Sequence, residues 1–248
     1  MLMPSPRHRP ADLKLWRSYA DADEVYGAMP RTEWLAEQAV EEIKSFSRRG
    51  GCYCSVSWGK DSVALAHLVV RSGINMPMVH VHADPVANPD SPLVRERFLS
   101  LFPCIYREVA IDYRVTYGIR DLEERGAAGD RMFFAAFRNF GDRHISGIRS
   151  DESFGRKIRM RRWGLSSPNA CAPLGRWRAG DTFAYLARHD LPVHPAYAML
   201  GSGRWERKHL RVDELGGRRG TQFGRADWEA EYYGDTLRRI EAEGKGRL

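Results

Sequence analysis

Residues Ser55 to Ser62 read Ser-Val-Ser-Trp-Gly-Lys-Asp-Ser, and these types in this order suit the binding of phosphate. They follow a short alternating run, Cys52 to Val56, that predicts a strand. They open a segment free of Gly and Pro, Asp61 to Ser72, that predicts a buried helix stopping at Gly73. A strand, a small-residue turn and a helix N-terminus bring backbone N–H groups and the positive end of the helix dipole to one place. Around that point Ser57 and Ser62 would add hydroxyl donors and Lys60 a cation, while Gly59 lets the backbone come close. The bland alternative is a loop that merely precedes a buried helix.

Two common phosphate loops are excluded by spacing. A Walker A loop needs Gly five positions before its Gly-Lys pair and Ser or Thr directly after it; here those positions are Cys54 and Asp61. A dinucleotide fingerprint needs three glycines at fixed spacing, and this loop holds only Gly59. What remains, Ser-x-Gly-Lys-Asp-Ser, resembles the signature of the PP-loop ATP pyrophosphatases. Its Lys-Asp-Ser form is most similar to the phosphoadenosine phosphosulfate (PAPS) reductase-like branch. Trp58 departs from that pattern, which more usually has a Gly there.

Two further stretches resemble the same branch, in the same order along the chain. Gly147-Ile-Arg-Ser-Asp-Glu-Ser153 followed by Arg156 matches a G-x-R-x-x-E-S-x-x-R segment, and it follows a predicted strand at His144–Ile148. Pro173-Leu174, Trp177, Asp181, Tyr185, Leu191-Pro192, Pro195 and Tyr197 match the pattern that comes next. The resemblance covers roughly residues 50–200. It implies an α/β fold, a parallel twisted sheet with helices on both faces of the adenine nucleotide alpha hydrolase type. It also implies an enzyme that binds ATP or a related adenine nucleotide with Mg²⁺. Such an enzyme splits the nucleotide at the α-phosphate, adenylates an acceptor and releases pyrophosphate.

Site roles follow from the motif and the chemistry. Charge accumulates on phosphate oxygens in such a reaction, so donors and cations are needed around them. Ser55, Ser57, Trp58, Gly59, Lys60, Asp61 and Ser62 form the expected phosphate loop. Lys60, Asp61 and Arg149 are the expected catalytic residues, with Asp61 a candidate Mg²⁺ ligand or, equally, a helix cap. The resemblance places adenosine contacts at His82, Ala83 and Asp84. Gly147, Arg149, Glu152 and Arg156 make up the second site segment. Arg149 and Arg156 are expected as anion clamps because guanidinium forks match phosphate geometry, with Glu152 orienting Arg149 or binding metal. His80 and His82 share one strand face with Asp84 at its end, but no third ligand stands at a matching spacing, and packing is the expected role.

Two other readings stand beside this one. The first is a true sulfonucleotide reductase, which needs a nucleophilic cysteine in a C-terminal segment. No cysteine follows Cys171, and the cysteine pairs that hold an iron–sulfur cluster in adenylylsulfate-reducing relatives are missing, so no cluster is expected. The second is a non-catalytic module that binds nucleotide or nucleic acid.

The elements that position these residues can be laid out in order. Residues 1–48 are expected as an N-terminal extension, with little regular pattern over 1–30 and a helix from Thr32, a candidate N-cap, carrying Leu35, Ala39, Val40, Ile43 and Phe46. The nucleotide domain is expected over 49–200. Its further strands are predicted at Met78–Ala83, Cys104–Ile111 and His144–Ile148, with helices at 130–140 and Asp181–His189. Alternating strands and helices predict a parallel sheet covered on both faces, with ligands at the strands' carboxyl ends. A basic extension, 201–248, turns amphipathic from Ala226 to Glu243 and is expected as a lid, a clasp or a partner-binding helix.

The chain has 248 residues and a formal charge of +7, enough for one α/β domain with extensions. Only six of its 39 basic residues are lysines, a skew that suits phosphate forks or simply follows base composition. The cations cluster as Arg156, Lys157, Arg159, Arg161 and Arg162, and again as Arg204, Arg207, Lys208, Arg211, Arg218, Arg219 and Arg225. Such clusters point to an anionic partner, DNA or RNA among them, or to a solvated surface. Met1–Pro10 lacks the apolar stretch of a secretory signal, and no run approaches the ~18–20 apolar residues of a membrane span. Cys52, Cys54, Cys104 and Cys171 contain no C-x-x-C pair. A reducing cytoplasm and no membrane partner are therefore expected, and self-association into a homo-oligomer is allowed for.

Overall fold

The computed structural model describes residues 1–216 and 224–245. Its centre is a five-stranded sheet built from β1 (Tyr53–Ser55), β2 (Met78–Asp84), β3 (Tyr106–Asp112), β4 (His144–Ile145) and β5 (Ala170–Cys171). The strand order is β3-β2-β1-β4-β5, and every neighbouring pair is parallel. Parallel neighbours need crossovers. These are supplied by α3 (Lys60–Ser72), α4 (Ser91–Leu101), α5 (Leu122–Arg138) and α6 (Phe154–Trp163). The chain runs outward from β1 to β3 and then returns to β4 on β1's other side. That reversal is the topological switch point, where open α/β sheets leave a crevice beyond the strand ends.

Alternation along β2 shows how the sheet feeds two layers. Val79, Val81 and Ala83 join Tyr53, Ile111 and Ala136 on the face covered by α5. Met78 joins Cys54, Ile145 and the apolar side of α3 on the other face. α3 is so deeply placed that ten of its residues are buried, Lys60 and His67 among them. It stops at Gly73, whose φ of 70° is the left-handed geometry that costs glycine no Cβ clash. The same layer takes in α2 (Pro30–Ser47), through Leu35, Ala39, Ile43 and Phe46, and α7 (Ala179–Arg188), through Phe183 and Leu186.

Residues 1–30 are more regular than their sequence suggests. Leu2 bridges Val193, and Met3 N–H donates to the Val193 carbonyl at 2.9 Å. Pro10–Gly27 forms an 18-residue helix, α1, packed so closely on α7 that a Cβ at Gly27 would meet the Ala184 carbonyl at 2.7 Å. The periodicity is weak because α1 is anchored by polar groups as well as by Trp16. Asp12 accepts from the Ser202 N–H at 2.8 Å and from the Tyr232 hydroxyl, and Asp23 takes a two-pronged bond from Arg207 at 2.5 and 2.7 Å.

Other boundaries also move. Thr32 is not the cap of α2: Met29 holds that place, and the Thr32 hydroxyl donates to the Tyr26 carbonyl at 2.9 Å. The helix predicted at 130–140 begins eight residues earlier, where Asp121 accepts from Glu124 N–H at 2.7 Å; Gly126 and Gly129 hide its first turns. β4 ends at Ile145, and the chain beyond it bends into the site. The amphipathic tail forms α8 (Arg225–Lys245). It is clasped to the rest by Trp228, whose indole donates to the Met199 carbonyl, and by the Tyr233 hydroxyl, which donates to Asp90, both at 2.9 Å. Arg218 and Arg219 lie outside the described residues. Among the described residues no helix is long and apolar enough to cross a membrane.

Three histidines are enclosed by this packing. His194 accepts from Ala196 N–H at 3.2 Å, and burial pushes its pKa down to about 3. Burial likewise lowers His67 and His80 to about 4. Each is neutral when folded at pH 5 to 6, while the unfolded chain protonates near its ordinary value of about 6.5. The stability they contribute is therefore complete above about pH 6.5 and is lost as pH falls towards 4, by a few kcal/mol for each ring. Urea unfolding at pH 7 and 4.5 should show this loss, and His194→Gln should shrink the difference. An unchanged difference would show that His194 is not held neutral.

Candidate active site at the switch point

The loop after β1 and the chain after β4 face each other across the switch point. Trp58 takes φ of 61°, the left-handed conformation that glycine favours. Its indole is nevertheless fully buried, tilted against Phe98 and Tyr106 with ring centroids 5.6 and 5.7 Å away, and edge-on to His80 at 6.3 Å. Packing of the ring thus offsets the backbone cost. Ser62 is buried beneath the loop. Its Oγ accepts from the Ser57 and Trp58 N–H groups at 2.8 and 3.0 Å, bracing the turn from within. Among the first-turn N–H groups of α3, that of Lys60 goes to the Tyr197 hydroxyl at 3.1 Å. Gly59 sits where a Cβ would stand 3.3 Å from both the Tyr197 hydroxyl and Val212. Ser55 ends β1, and Ser57 is exposed at the loop's outer edge.

Lys60 and Asp61 anchor a buried charge network. Lys60 Nζ lies 2.9 Å from Asp61 Oδ2 and over the rings of Tyr197 and Phe183, at 5.4 and 6.0 Å. Burial opposes its charge, but Tyr197 and Asp61 outweigh burial and hold its pKa above the ordinary lysine value. The other Asp61 oxygen accepts from the Thr182 hydroxyl at 3.0 Å and from Arg149 Nη1. Arg149 is only 3% exposed. Its Nε donates to Asp151 at 3.0 Å, and Asp151 in turn accepts from the Ala179 N–H at 3.0 Å. Burial opposes the guanidinium's charge, yet Asp61 and Asp151 raise its pKa above the usual range. Gly147 completes the junction: a Cβ there would come within 3.1 Å of the Asp61 backbone.

Three expectations change in this geometry. Asp61 does not fit a Mg²⁺ ligand here, because both carboxylate oxygens are engaged and the nearest partners are two cations. Arg149 is a buried strut rather than an open anion clamp, its fork filled by Asp61 and Asp151. Glu152 accepts the Arg149 N–H at 3.2 Å and pairs with the Arg156 guanidinium, which is half-exposed on α6. Arg156 is therefore engaged by Glu152, not free as an anion clamp.

Beside the loop lies a cleft of about 590 Å³, lined by Ser57, Trp58, His80 to Pro85, Asn88, Arg95 and Glu108 and closed by Arg239 and Glu243 of α8. His82, Ala83 and Asp84 thus meet Ser57 along one wall. Glu108 is the hub of its polar floor. It takes a 2.6 Å bond from Arg95 and lies 3.3 Å from His80 Nδ1 and 3.7 Å from His82 Nε2. His82 Nδ1 also lies 3.3 Å from Asp84. Among the described residues no three His, Cys, Asp or Glu side chains gather as a metal site.

No protein-family model matches the chain, and no curated protein does. Among solved structures, NMN synthetase from Francisella tularensis superposes with a TM-score of 0.52 and 14% identity, over 86% of this chain and 93% of that one. The two share a fold. An NH3-dependent NAD synthetase from Campylobacter jejuni aligns with a TM-score of 0.47 and 16% identity, over 66% of this chain and 75% of that one.

Residues that sequence reasoning did not single out for the site include Glu108, Arg95, Asp151 and Thr182. Glu108 faces the histidines because His80 pairs with it in the β2–β3 register, and register is not written in either strand alone. Thr182 had a weak signal, one residue after the Asp181 of the third matched pattern.

Trp58 permits a direct test. Trp58→Gly removes a left-handed backbone cost of about 1–2 kcal/mol but empties a site whose filling is worth about 3–5 kcal/mol. Packing should win, so chemical denaturation should show a net loss of about 2–3 kcal/mol. A variant as stable as the parent would mean that the loop's turn, not the ring, sets the balance.

Proposed function

We propose that the chain is an enzyme of the PP-loop ATP pyrophosphatase superfamily. On this reading it binds ATP or a related adenine nucleotide and attaches the adenylyl group to an acceptor, releasing pyrophosphate. The observation that carries this reading is the adjacency of two parts. A phosphate-type loop opens α3 at the switch point, and a nucleotide-sized cleft adjoins it beyond β2 and β3. The pyrophosphate end belongs at the loop, where the helix N-terminus and Lys60 favour negative charge. The adenosine end belongs in the cleft, where His82, Ala83 and Asp84 line one wall. Acceptor attack at the α-phosphorus forms one P–O or P–N bond and breaks the bond to the bridging oxygen, so the departing pyrophosphate carries away the charge. Lys60 and the loop stabilise that charge as it develops. Arg149 and Asp61 act indirectly, by holding the loop to the chain after β4. Mg²⁺ is assigned to the nucleotide's own phosphates, and no step runs through Asp61.

The PAPS-reductase-like resemblance extends to the motifs, not to thiol chemistry. Cys54 and Cys171 are buried, and burial raises both thiols, Cys171 to about 12. Cys104 is raised for the same reason, and no cysteine lines the cleft. A nucleophilic thiol needs a lowered pKa, so reduction of a sulfonucleotide has no support here.

The reading is tested by incubating the protein with MgATP and candidate acceptors, with pyrophosphate and phosphate measured separately. Acceptor-dependent pyrophosphate is expected; phosphate alone would overturn the adenylyl-transfer reading. Lys60→Ala should lower nucleotide affinity or turnover roughly ten- to a hundredfold, the scale of one charge-assisted contact. Its fold should survive, since Asp61 keeps Arg149 and Thr182. Cys171→Ser should leave turnover within about twofold, its thiol being held in the unreactive form. Loss of turnover in a folded Cys171→Ser variant would instead revive the reductase.

A further inference from the structure

The two basic clusters differ once folded. Along the tail, Arg204 pairs with Asp227, Arg207 with Asp23, Lys208 with Glu206 and Arg225 with Glu229. On α6 only Arg156 is paired, with Glu152; among the described residues no carboxylate lies within ion-pair distance of Lys157, Arg159, Arg161 or Arg162. α6 carries five basic residues and no acidic one, and none of its residues is buried. It also exposes large apolar groups: Phe154 is 79% exposed, Trp163 65% and Ile158 49%, and the Arg162 guanidinium lies 4.8 Å over the Trp163 ring.

Exposed rings interleaved with cations that have no acidic neighbour fit one class of partner. We infer that α6 is a docking surface for a single-stranded nucleic acid, with Lys157, Arg159, Arg161 and Arg162 on the backbone and Phe154 and Trp163 stacking against unpaired bases. Charge supplies the complementarity, since a strand of phosphates neutralises a helix that has no acids of its own. Stacking accounts for the rings, because every base offers a π-face and arginine adds to it. A lipid surface fits less well. A membrane is flat and takes the apolar groups of one helix face, whereas at 3.6 residues per turn Trp163 falls on the side opposite Phe154 and Ile158, a spread that a flexible strand passing over the helix from its start to its end can follow. The helix is about 15 Å long. It leads directly from Glu152, whose carboxylate accepts from Arg149, so a bound strand would lie beside the switch point. This assignment rests on the adenylyl-transfer reading only for its purpose: the strand would carry the acceptor, and its binding can be measured without any turnover.

The test uses the full chain and a fluorescent single strand of about 16 nucleotides, as DNA and as RNA, titrated across a salt series. Duplex DNA and anionic phosphatidylserine vesicles serve as the competing probes. Single-strand binding that weakens steeply with salt is expected. Changing Arg159, Arg161 and Arg162 together to Gln should reduce the slope of log affinity against log salt by about 2. Trp163→Ala should weaken binding roughly five- to a hundredfold without changing that slope. None of these residues is buried, so circular dichroism should show the parent fold. Acceptor-free nucleotide binding in the same preparations should match the parent. Absence of strand binding by the parent, binding indifferent to these changes, tighter binding of duplex, or capture by vesicles instead of strands would each overturn the proposal. Strand binding with no pyrophosphate release would leave the surface standing and remove the strand as the adenylyl acceptor.

Discussion

The Asp61 carboxylate holds the site together. Its two oxygens receive Lys60, Arg149 and Thr182, which come from the start of α3, the chain after β4 and the start of α7. A guanidinium as buried as that of Arg149 would cost several kcal/mol if left alone. Here its bonds to Asp61 and Asp151 offset that cost, and the Ala179 N–H bond to Asp151 carries the network on to the α7 terminus. Removing Asp61 would leave the buried Lys60 charge without its counterpart, which is more damaging than never having had the pair. The contact is also geometric, because Gly147 lets the backbone after β4 touch that of Asp61. Loop shape and network charge are therefore a single constraint.

That constraint explains which parts of the site were legible in the sequence. The strand–turn–helix around Gly59 was readable because small residues, a cation and an uninterrupted apolar helix all fall within one short segment. Tyr197 was visible only as part of a matched pattern; its work, accepting the Lys60 N–H, depends on a fold that brings together residues 137 positions apart. The partners of Arg149 were only partly legible. Glu152, its neighbour in sequence, does pair with it, at 3.8 Å from Nη2, but Asp61 and Asp151 take the hydrogen bonds of its fork, and the first of these is 88 positions away. Trp58 shows the reverse case, where a local rule favouring glycine yields to the packing of a ring.

The fold was legible at the level of class and less so at the edges. Parallel strands alternating with helices followed from apolar runs separated by helical spacing, and their carboxyl ends do bear the loop and the cleft. α1 escaped notice because Asp12 and Asp23 are buried on specific partners, and no hydrophobic period records a hydrogen bond. The two arginine-rich stretches looked alike as composition. Folding separates them, since Arg204, Arg207, Lys208 and Arg225 of one are paired within the chain, whereas the other is presented to solvent.

The clasp of α8 has a consequence for how the protein comes into being. Arg239 and Glu243 close the cleft, yet the strands that form its floor lie within the first half of the chain, and Tyr233 is tied to Asp90 across 143 positions. During synthesis, which proceeds from the N-terminus, the sheet's β1–β3 edge can assemble while the ribosome is still translating the later helices. The cleft wall waits until the α8 segment has emerged. A nascent chain stalled before Trp228 would therefore hold the loop after β1 and the histidine-lined floor without the α8 side of the cleft, so the enclosed cleft is a property acquired only once α8 has been translated.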